Sequence, residues 1–192
     1  FAQNEQIDFC VVAPDDPLVL GLGDILEEKG IPCFGPSKKA AILEGSKVFS
    51  KDLMKKYNIP TARYEVFEDA NKAVEYIRAQ NEFPTVIKAD GLALGKGVII
   101  AESMADAEAA VKSIMEDKMF GDSGNHIVVE EFLTGPEVSV LSFTDGKTVV
   151  PMISSMDHKR ALDGDKGLNT GGMGTVAPNP YYTDEIAKIC MD

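Results

Sequence analysis

Lysines and glycines lie close together near the middle of the chain, and this combination is typical of a site that holds phosphate. Residues 85–87 are apolar and lead into Lys88. The segment that follows contains Gly91, Gly95, Lys96 and Gly97. Glycine lets backbone N–H groups approach phosphate oxygens closely, and ammonium groups neutralise the phosphate charge. The sequence therefore predicts that this segment grips the phosphates of a nucleotide.

The residues on either side of the glycines predict a β-hairpin. An apolar, β-branched run at residues 98–101 leaves the loop, as residues 85–87 enter it. Strand, flexible loop and strand together would hold a mobile cover over a ligand. For the glycines alone, an exposed turn without a ligand is an equal alternative. Lys88 at the end of a buried strand argues against that alternative, because lysine is rarely buried without a partner.

Two better-known phosphate loops are excluded by spacing. A Walker A loop places four residues between its glycines and Ser or Thr after its lysine. Here three residues separate the first two glycines, and Gly97 follows Lys96. The dinucleotide fingerprint GxGxxG is also absent, because Leu26 stands where the third glycine would follow Gly21 and Gly23.

An acidic segment follows a short apolar run at residues 127–129, and it is a candidate for nucleoside recognition. This segment comprises Glu130, Glu131, Phe132, Leu133 and, after Thr-Gly-Pro, Glu137. A strand that runs into a connector leaves backbone groups free to bind an adenine edge, and a nearby carboxylate can accept hydrogen bonds from ribose hydroxyls. Taken singly, each glutamate is better interpreted as a solvated charge.

Two further clusters could bind an anionic substrate. Residues 157–160 read DHKR, with two cations beside a carboxylate and an imidazole, and both cations bind phosphate well. Residues 169–174 read NTGGMG and would let the backbone pass close to a ligand. In isolation, the first is better explained by an exposed charge run, and the second is equally well explained by a disordered glycine loop.

The order of these segments resembles the phosphoribosylamine–glycine ligase family of ATP-grasp enzymes over essentially the whole chain. VIKADGLALGKGV and VVEEFLTGPEVSV are signals of ATP-grasp enzymes in general, whereas DHKR and NTGGMG make the resemblance specific. The resemblance implies an α/β (α+β) chain, with a partial ATP-grasp fold preceded by part of an open parallel-sheet domain. A β-loop-α-β rhythm in the first 34 residues, with one helix at residues 18–29, agrees with such a sheet.

The expected domain organisation has three parts. Residues 1–60 form a partial N-terminal pre-ATP-grasp domain with linker helices, residues 61–133 form the small lobe with the glycine loop, and residues 134–192 begin a truncated large lobe. The chain lacks an initial methionine and stops within an apparent helix, so we expect a fragment.

The resemblance implies ligation of glycine to 5-phosphoribosylamine through a glycyl phosphate, with ATP as the phosphoryl donor, in de novo purine biosynthesis. It assigns Lys47 and Lys88 to the ATP phosphates, the Glu131 carbonyl and the Leu133 N–H to adenine, and Glu137 to ribose. The cofactor-binding set is Lys47, Lys88, Gly91, Gly95, Lys96, Gly97, Glu130, Glu131, Phe132, Leu133 and Glu137. The catalytic set is Lys88, Asp157, His158, Lys159 and Arg160. The substrate-binding set is Asn169, Thr170, Gly171, Gly172, Met173 and Gly174.

The resemblance also implies Mg²⁺, with its ligands expected beyond Asp192, and no metal ligand is placed in this chain. Small-molecule substrates are the expected partners. Two alternatives stay open: another ATP-grasp ligase or carboxylase, and a nucleotide-binding module without catalysis.

Composition limits the remaining classes. The 192 residues carry a net charge of −12 without a basic stripe, which argues against nucleic acid as a partner. No apolar run has the length of a membrane span. The three cysteines are far apart and predict reduced thiols in a cytoplasmic protein, which we expect to be a monomer.

Overall fold

A computed structural model describes residues 1–93, 97–164 and 166–191, with the backbone only at residues 168 and 169. The chain divides into two compact units, Phe1–Leu133 and Thr134–Asp192. Within the described residues, no helix is both long and apolar enough to cross a membrane.

The first unit begins with a short parallel strand pair and two helices. Strands β1 (Cys10–Val11) and β2 (Cys33–Phe34) pair in parallel, as expected. Helices α1 (Asp15–Leu20) and α2 (Leu22–Glu28) lie between them. The prediction of one helix at residues 18–29 is wrong, because Gly21 adopts a left-handed φ of 96° and its N–H bonds back to Leu18 O at 2.9 Å.

Two capped helices follow. Helix α3 spans Lys38–Gly45 and α4 spans Lys47–Lys56. The Ser37 side chain accepts a hydrogen bond from the Ala40 N–H at 3.3 Å, and the Ser46 side chain accepts one from the Phe49 N–H at 3.1 Å. Each cap satisfies a backbone donor that the first helical turn leaves free.

The centre of the first unit is a four-stranded antiparallel sheet of order β3-β6-β4-β5. Its strands are β3 (Tyr64–Phe67), β4 (Thr85–Ala89), β5 (Val98–Ala101) and β6 (Ile127–Glu131). The predicted β4–β5 hairpin is confirmed, with Lys88 opposite Val98 and a 2.8 Å bond from the Ala89 N–H to the Gly97 carbonyl. Gly95 and Lys96, expected in the phosphate loop, lie outside the described residues.

Helices α5 (Ala70–Gln80) and α6 (Met104–Val111) pack on this sheet and build the core with it. The side chains of Asp69 and Ser103 cap them. Helix α6 continues into a π-helical turn, Lys112–Glu116, and a 3₁₀ turn, Gly121–Asn125, leads to β6. The fully buried core side chains include Ile87, Val111, Ile114, Ile127 and Val128.

The second unit contains two hairpins and a helix. Strands β7 (Ser142–Thr144) and β8 (Val149–Pro151) form the first. Strands β9 (Met156–Leu162) and β10 (Lys166–Val176) form the second, and α7 spans Asp184–Met191. The expectation of a loop at residues 169–174 is wrong, because β10 pairs there with β9, with shifts in register.

Candidate functional site

A cavity of about 330 Å³ in the first unit is bordered by helix α4 and by strands β4 and β6. Its volume is in the range of small-molecule sites. Three ammonium groups line it, from Lys47 and Lys51 of α4 and from Lys88 of β4. The carboxylates that line the same cavity are those of Asp15, Glu44 and Glu130.

Glu130 lies between two of these lysines and is almost completely buried. Its side chain is 5% exposed, and Oε2 lies 2.9 Å from the Lys88 Nζ while Oε1 lies 3.2 Å from the Lys51 Nζ. Interpreting this residue as a solvated charge is therefore wrong, since β6 places its side chain against α4 and β4. A buried carboxylate requires such partners.

The neighbouring Glu131 has a different environment. Its carboxylate accepts a hydrogen bond from the Arg63 N–H at 2.8 Å, and its own N–H donates to the Arg63 carbonyl at 3.0 Å. Phe132 and Leu133 follow the end of β6 and are exposed. The predicted adenine contacts of these residues stay predictions.

Lys51 is the site residue that sequence analysis missed. Its side chain is 9% exposed and its ammonium also donates to the Thr61 hydroxyl at 2.7 Å and to the Ala62 carbonyl at 3.5 Å. The Nζ lies 5.4 Å from the centre of the Tyr64 ring. The spacing of four from Lys47 places both lysines on one face of a helix, and this was the available signal.

Lys47 reaches the base of the glycine loop. Its ammonium donates a hydrogen bond to the Gly91 carbonyl. Burial lowers the pKa of Lys47 below the usual lysine value, and the positive charge of Lys88 lowers it further, while the negative charge of Asp90 acts in the opposite direction. The structure therefore brings Lys47 and Lys88 together at one cavity, as their common assignment to phosphate requires.

Asp90 connects the start of the glycine loop to helix α4. Its Oδ1 accepts hydrogen bonds from the Ser46 hydroxyl and from the Val48 N–H, both at 3.2 Å. Gly91 follows with a φ of 87°, and a Cβ there would lie 2.7 Å from the Ser123 hydroxyl oxygen. The positive φ therefore favours glycine at that position, and a larger residue would also require the Ser123 hydroxyl to move.

The DHKR segment of the second unit lies in β9. The Lys159 Nζ lies 3.3 Å from Glu137 Oε2, and these side chains are 46% and 57% exposed. The Arg160 guanidinium donates to the Gly167 carbonyl at 2.7 Å, across the β9–β10 hairpin. The Thr170 hydroxyl donates to the Lys159 carbonyl at 2.8 Å.

A second cavity, of about 480 Å³, joins one member of the DHKR segment to the glycine-rich strand. Asp157 lines it together with Gly171, Gly172, Met173 and Gly174. A Cβ at Gly172, whose φ is 126°, would lie 3.0 Å from Asp157 Oδ1. His158, Lys159 and Arg160 are not among the residues that line this cavity, and the side chain of Asn169 lies outside the description.

A metal centre is not formed by the residues described here. Across residues 1–93, 97–164 and 166–191, no three His, Cys, Asp or Glu side chains lie together as ligands of a metal ion would. The three cysteines are free thiols, and Cys10 lies opposite Cys33 in the β1–β2 pair.

In a comparison with known proteins, residues 1–44 and residues 45–192 match two domain models of one family. The family model described as phosphoribosylglycinamide synthetase, N domain, matches residues 1–44, and the one described as phosphoribosylglycinamide synthetase, ATP-grasp (A) domain, matches residues 45–192. A phosphoribosylamine–glycine ligase of Clostridium acetobutylicum is 53% identical over 188 residues, which are 98% of this chain and 45% of that protein.

Solved structures agree with this placement. The crystal structure of phosphoribosylamine–glycine ligase from Thermotoga maritima matches with a TM-score of 0.71 and 42% identity, covering 81% of this chain and 39% of that one. D-alanyl-alanine synthetase A from Vibrio cholerae matches with a TM-score of 0.70 over 96% of this chain and 56% of its own, at 18% identity, which supports the fold alone.

The chain spans less than half the length of the curated relatives that it matches. The match over residues 45–192 nevertheless includes the β4–β5 hairpin, the three lysines that line the first cavity and the β9–β10 hairpin. On this basis, the chain belongs to the phosphoribosylglycinamide synthetase family and carries an ATP-grasp domain.

Proposed function

We propose that this chain provides the ATP-binding part of an enzyme that joins glycine to 5-phosphoribosylamine. The products are glycinamide ribonucleotide, ADP and phosphate. The observation that carries the proposal is the meeting of Lys47 and Lys88 at one cavity beside a buried glutamate, in a chain of this family. Two cations at one cavity are what the phosphates of a nucleotide need.

The reaction requires activation of a carboxylate, which is a poor electrophile until one of its oxygens becomes a phosphate leaving group. The glycine carboxylate attacks the γ-phosphorus of ATP, and the bond to ADP breaks. The amine of phosphoribosylamine then attacks the acyl carbon of glycyl phosphate, phosphate leaves, and the amine loses a proton. Because two anions must first approach each other, positioning and charge neutralisation are the main contributions of the protein.

In the first unit, Lys47 and Lys88 are proposed to neutralise the ATP phosphates, and the glycine loop to cover them and exclude water. The Glu131 carbonyl and the Leu133 N–H are proposed to hold the adenine edge. Lys88 extends from a strand paired on both sides, so its ammonium starts from a fixed base. A cation held in this way needs little reorganisation when charge develops in the transition state.

In the second unit, Asp157 and the glycine-rich strand are proposed to contact the acceptor and the reacting groups. His158, Lys159 and Arg160 are proposed for the same task, and Glu137 for ribose hydroxyls. Since Lys159 and Glu137 pair with each other at 3.3 Å, binding a ligand through either one requires that this exposed contact opens.

Magnesium normally accompanies ATP and would add positive charge at the phosphates. Across residues 1–93, 97–164 and 166–191, no three His, Cys, Asp or Glu side chains form a cluster that would hold it. The proposed setting is the cytoplasm, with a monomeric enzyme and small-molecule substrates. The free thiols of Cys10, Cys33 and Cys190 are compatible with a reducing compartment.

The test is a turnover assay on the intact protein with ATP, glycine and 5-phosphoribosylamine. The expected result is ADP and glycinamide ribonucleotide in equal amounts, with a strong loss in the Lys88→Met variant. ADP release that depends instead on bicarbonate or D-alanine would assign the chain to another ATP-grasp ligase or carboxylase. ATP binding without turnover under any of these conditions would indicate a module that only binds the nucleotide.

A further inference from the structure

We propose that Lys51 is a positioning residue. It pairs with the Glu130 carboxylate and thereby keeps the Lys88 ammonium available to an anionic ligand. The proposal rests on the function proposed above for the same cavity. It concerns a lysine that borders the cavity and acts on the ligand through Glu130 and Lys88.

Lys51 is set apart from the other lysines of α4 by its burial. It is 7% exposed, whereas Lys55 and Lys56, one turn later, are exposed. Its ammonium contacts the Thr61 hydroxyl, the Ala62 carbonyl and the Glu130 carboxylate. A lysine is buried in this way only when partners compensate for the lost hydration, so a solvated helix lysine is not an adequate description.

The geometry divides Glu130 between the two lysines. Lys88 donates a hydrogen bond to Oε2 at 2.9 Å, while Lys51 lies 3.2 Å from Oε1. Oε1 has no hydrogen bond among the described residues, so the contact with Lys51 is ionic and not a well-aligned hydrogen bond. One carboxylate thus has one cation at each oxygen.

The charge balance around Glu130 then favours an anion beside Lys88, although the carboxylates of Asp15 and Glu44 line other parts of the same cavity. Two ammonium groups around this one carboxylate leave one positive charge in excess, and the more exposed side chain is that of Lys88, at 26% against 9% for Lys51. The excess charge is therefore presented by Lys88, beside the ammonium of Lys47. Without Lys51, Glu130 would neutralise Lys88 completely and could hold its ammonium with both oxygens.

A purely structural role makes a different prediction. Lys51 also bonds to Thr61 and Ala62, which connect α4 to β3, so its loss would loosen the site as a whole. Loosening would weaken all ligands of the cavity together. If Lys51 acts through Lys88, loss of Lys51 would weaken only the part of the binding affinity that comes from the phosphates.

The experiment measures ATP and adenosine affinities of the intact protein by calorimetry. Lys51→Met is expected to weaken ATP binding about tenfold, the effect of one charge-assisted contact, and adenosine binding by less than about twofold. Lys55→Met is the matched control, because Lys55 also lies near the Tyr64 ring, with its Nζ 6.0 Å from the centre, on the exposed side of the same helix. An equal loss for both ligands in Lys51→Met would overturn the proposal.

A double-mutant cycle isolates the route through Glu130. In a Glu130→Gln background, the carboxylate that Lys51 neutralises is gone, so Lys51→Met should no longer change the ratio of ATP to adenosine affinity. The same tenfold change in that background would overturn the proposal. If Lys51→Met does not fold, Lys51→Arg decides, because it retains the charge and should keep the ratio within about threefold of the wild type.

A measurement without nucleotide separates this inference from the proposed function. Acetic anhydride labelling, read by mass spectrometry, compares acetylation of Lys88 with that of the exposed Lys72. Lys51→Met is expected to slow acetylation of Lys88 severalfold relative to Lys72, because Glu130 then holds the Lys88 ammonium alone. If the wild type fails to bind ATP, the proposed function fails, and labelling still decides the role of Lys51. Unchanged labelling of Lys88 would refute that role.

Discussion

The candidate sites of the two units hold their charged side chains in different ways. In the first, the Glu130 carboxylate is buried between Lys51 and Lys88 at 3.2 and 2.9 Å. In the second, Lys159 and Glu137 form a pair at 3.3 Å in which both side chains are about half exposed. The separations are similar, whereas the degree of burial is not.

The difference shows that distance alone does not make a preorganised site. A buried charge is held by every partner that compensates for its lost hydration, so its position is defined before a ligand arrives. An exposed pair contributes little and is easily replaced by contacts with water. We infer that the first unit is prepared for its ligand, while the second must reorient its side chains when a ligand binds.

The largest expected effect is that of Lys88→Met on turnover. Removal of a preorganised charge from the phosphate site should lower kcat by about a hundred- to a thousandfold, or about 3 to 4 kcal/mol. Adenosine affinity should change far less, since adenine is assigned to other groups. Steady-state kinetics and calorimetry on the intact enzyme measure both, with the exposed Lys72→Met as control. A near wild-type kcat would show that the buried charges of the first unit do not contribute to turnover.

A smaller effect is expected in the pH dependence of ATP affinity, through Lys47. Burial lowers its pKa, so the lysine is charged at low pH and loses its proton, and its attraction for phosphate, as the pH rises towards the ordinary lysine value. ATP affinity should therefore decline between about pH 7 and about pH 10.

The matching variant is Lys47→Arg, since a guanidinium stays charged throughout that range. If this variant binds ATP at neutral pH, its ATP affinity should fall less steeply with pH than that of the wild type. At the alkaline end of the range, the loss of affinity should be smaller in the variant by about threefold or more, which corresponds to about 0.7 kcal/mol. Calorimetry across the range, with Lys72→Arg as control, tests this expectation. Parallel profiles for the wild type and Lys47→Arg would show that Lys47 does not titrate in this window.

The smallest expected effect is that of Lys159→Met on stability. An exposed ion pair contributes at most about 1 kcal/mol, so the free energy of unfolding should change by less than that. Urea denaturation of the intact protein measures the change, and Glu137→Gln should give a similarly small value. A loss above about 2 kcal/mol would mean that the pair is structurally as important as a buried one, and the contrast between the units would no longer hold.

The local features of the fold could be predicted well from the sequence. Ser37, Ser46, Asp69 and Ser103 are residue types that favour helix caps, and each caps the helix that follows it, because a cap depends only on residues three positions apart. The β4–β5 hairpin is equally local. In each case, the residues that specify the structure are neighbours in the chain.

The sequence-based predictions are wrong where the contacts that determine the structure join distant parts of the chain, or where glycine is compatible with more than one local structure. Gly21 lies within an apolar periodicity that predicts one helix, and its left-handed conformation instead ends α1. Residues 169–174 are rich in glycine and indicate a loop, yet they lie within β10, which pairs with β9 at Asn169 and at Gly174 and has a register shift between them. The burial of Lys51 depends on Glu130, which the sequence places far along the chain.

Asp90 has a consequence for which substitutions the chain can accept. Its carboxylate accepts hydrogen bonds from both Ser46 and the Val48 N–H, and the residue is also the first after β4, before the turn at Gly91. A replacement at position 90 must therefore suit the end of a helix and the start of a loop at once. Over evolutionary time, positions 46 and 90 should change together or not at all, although 43 residues separate them in the sequence.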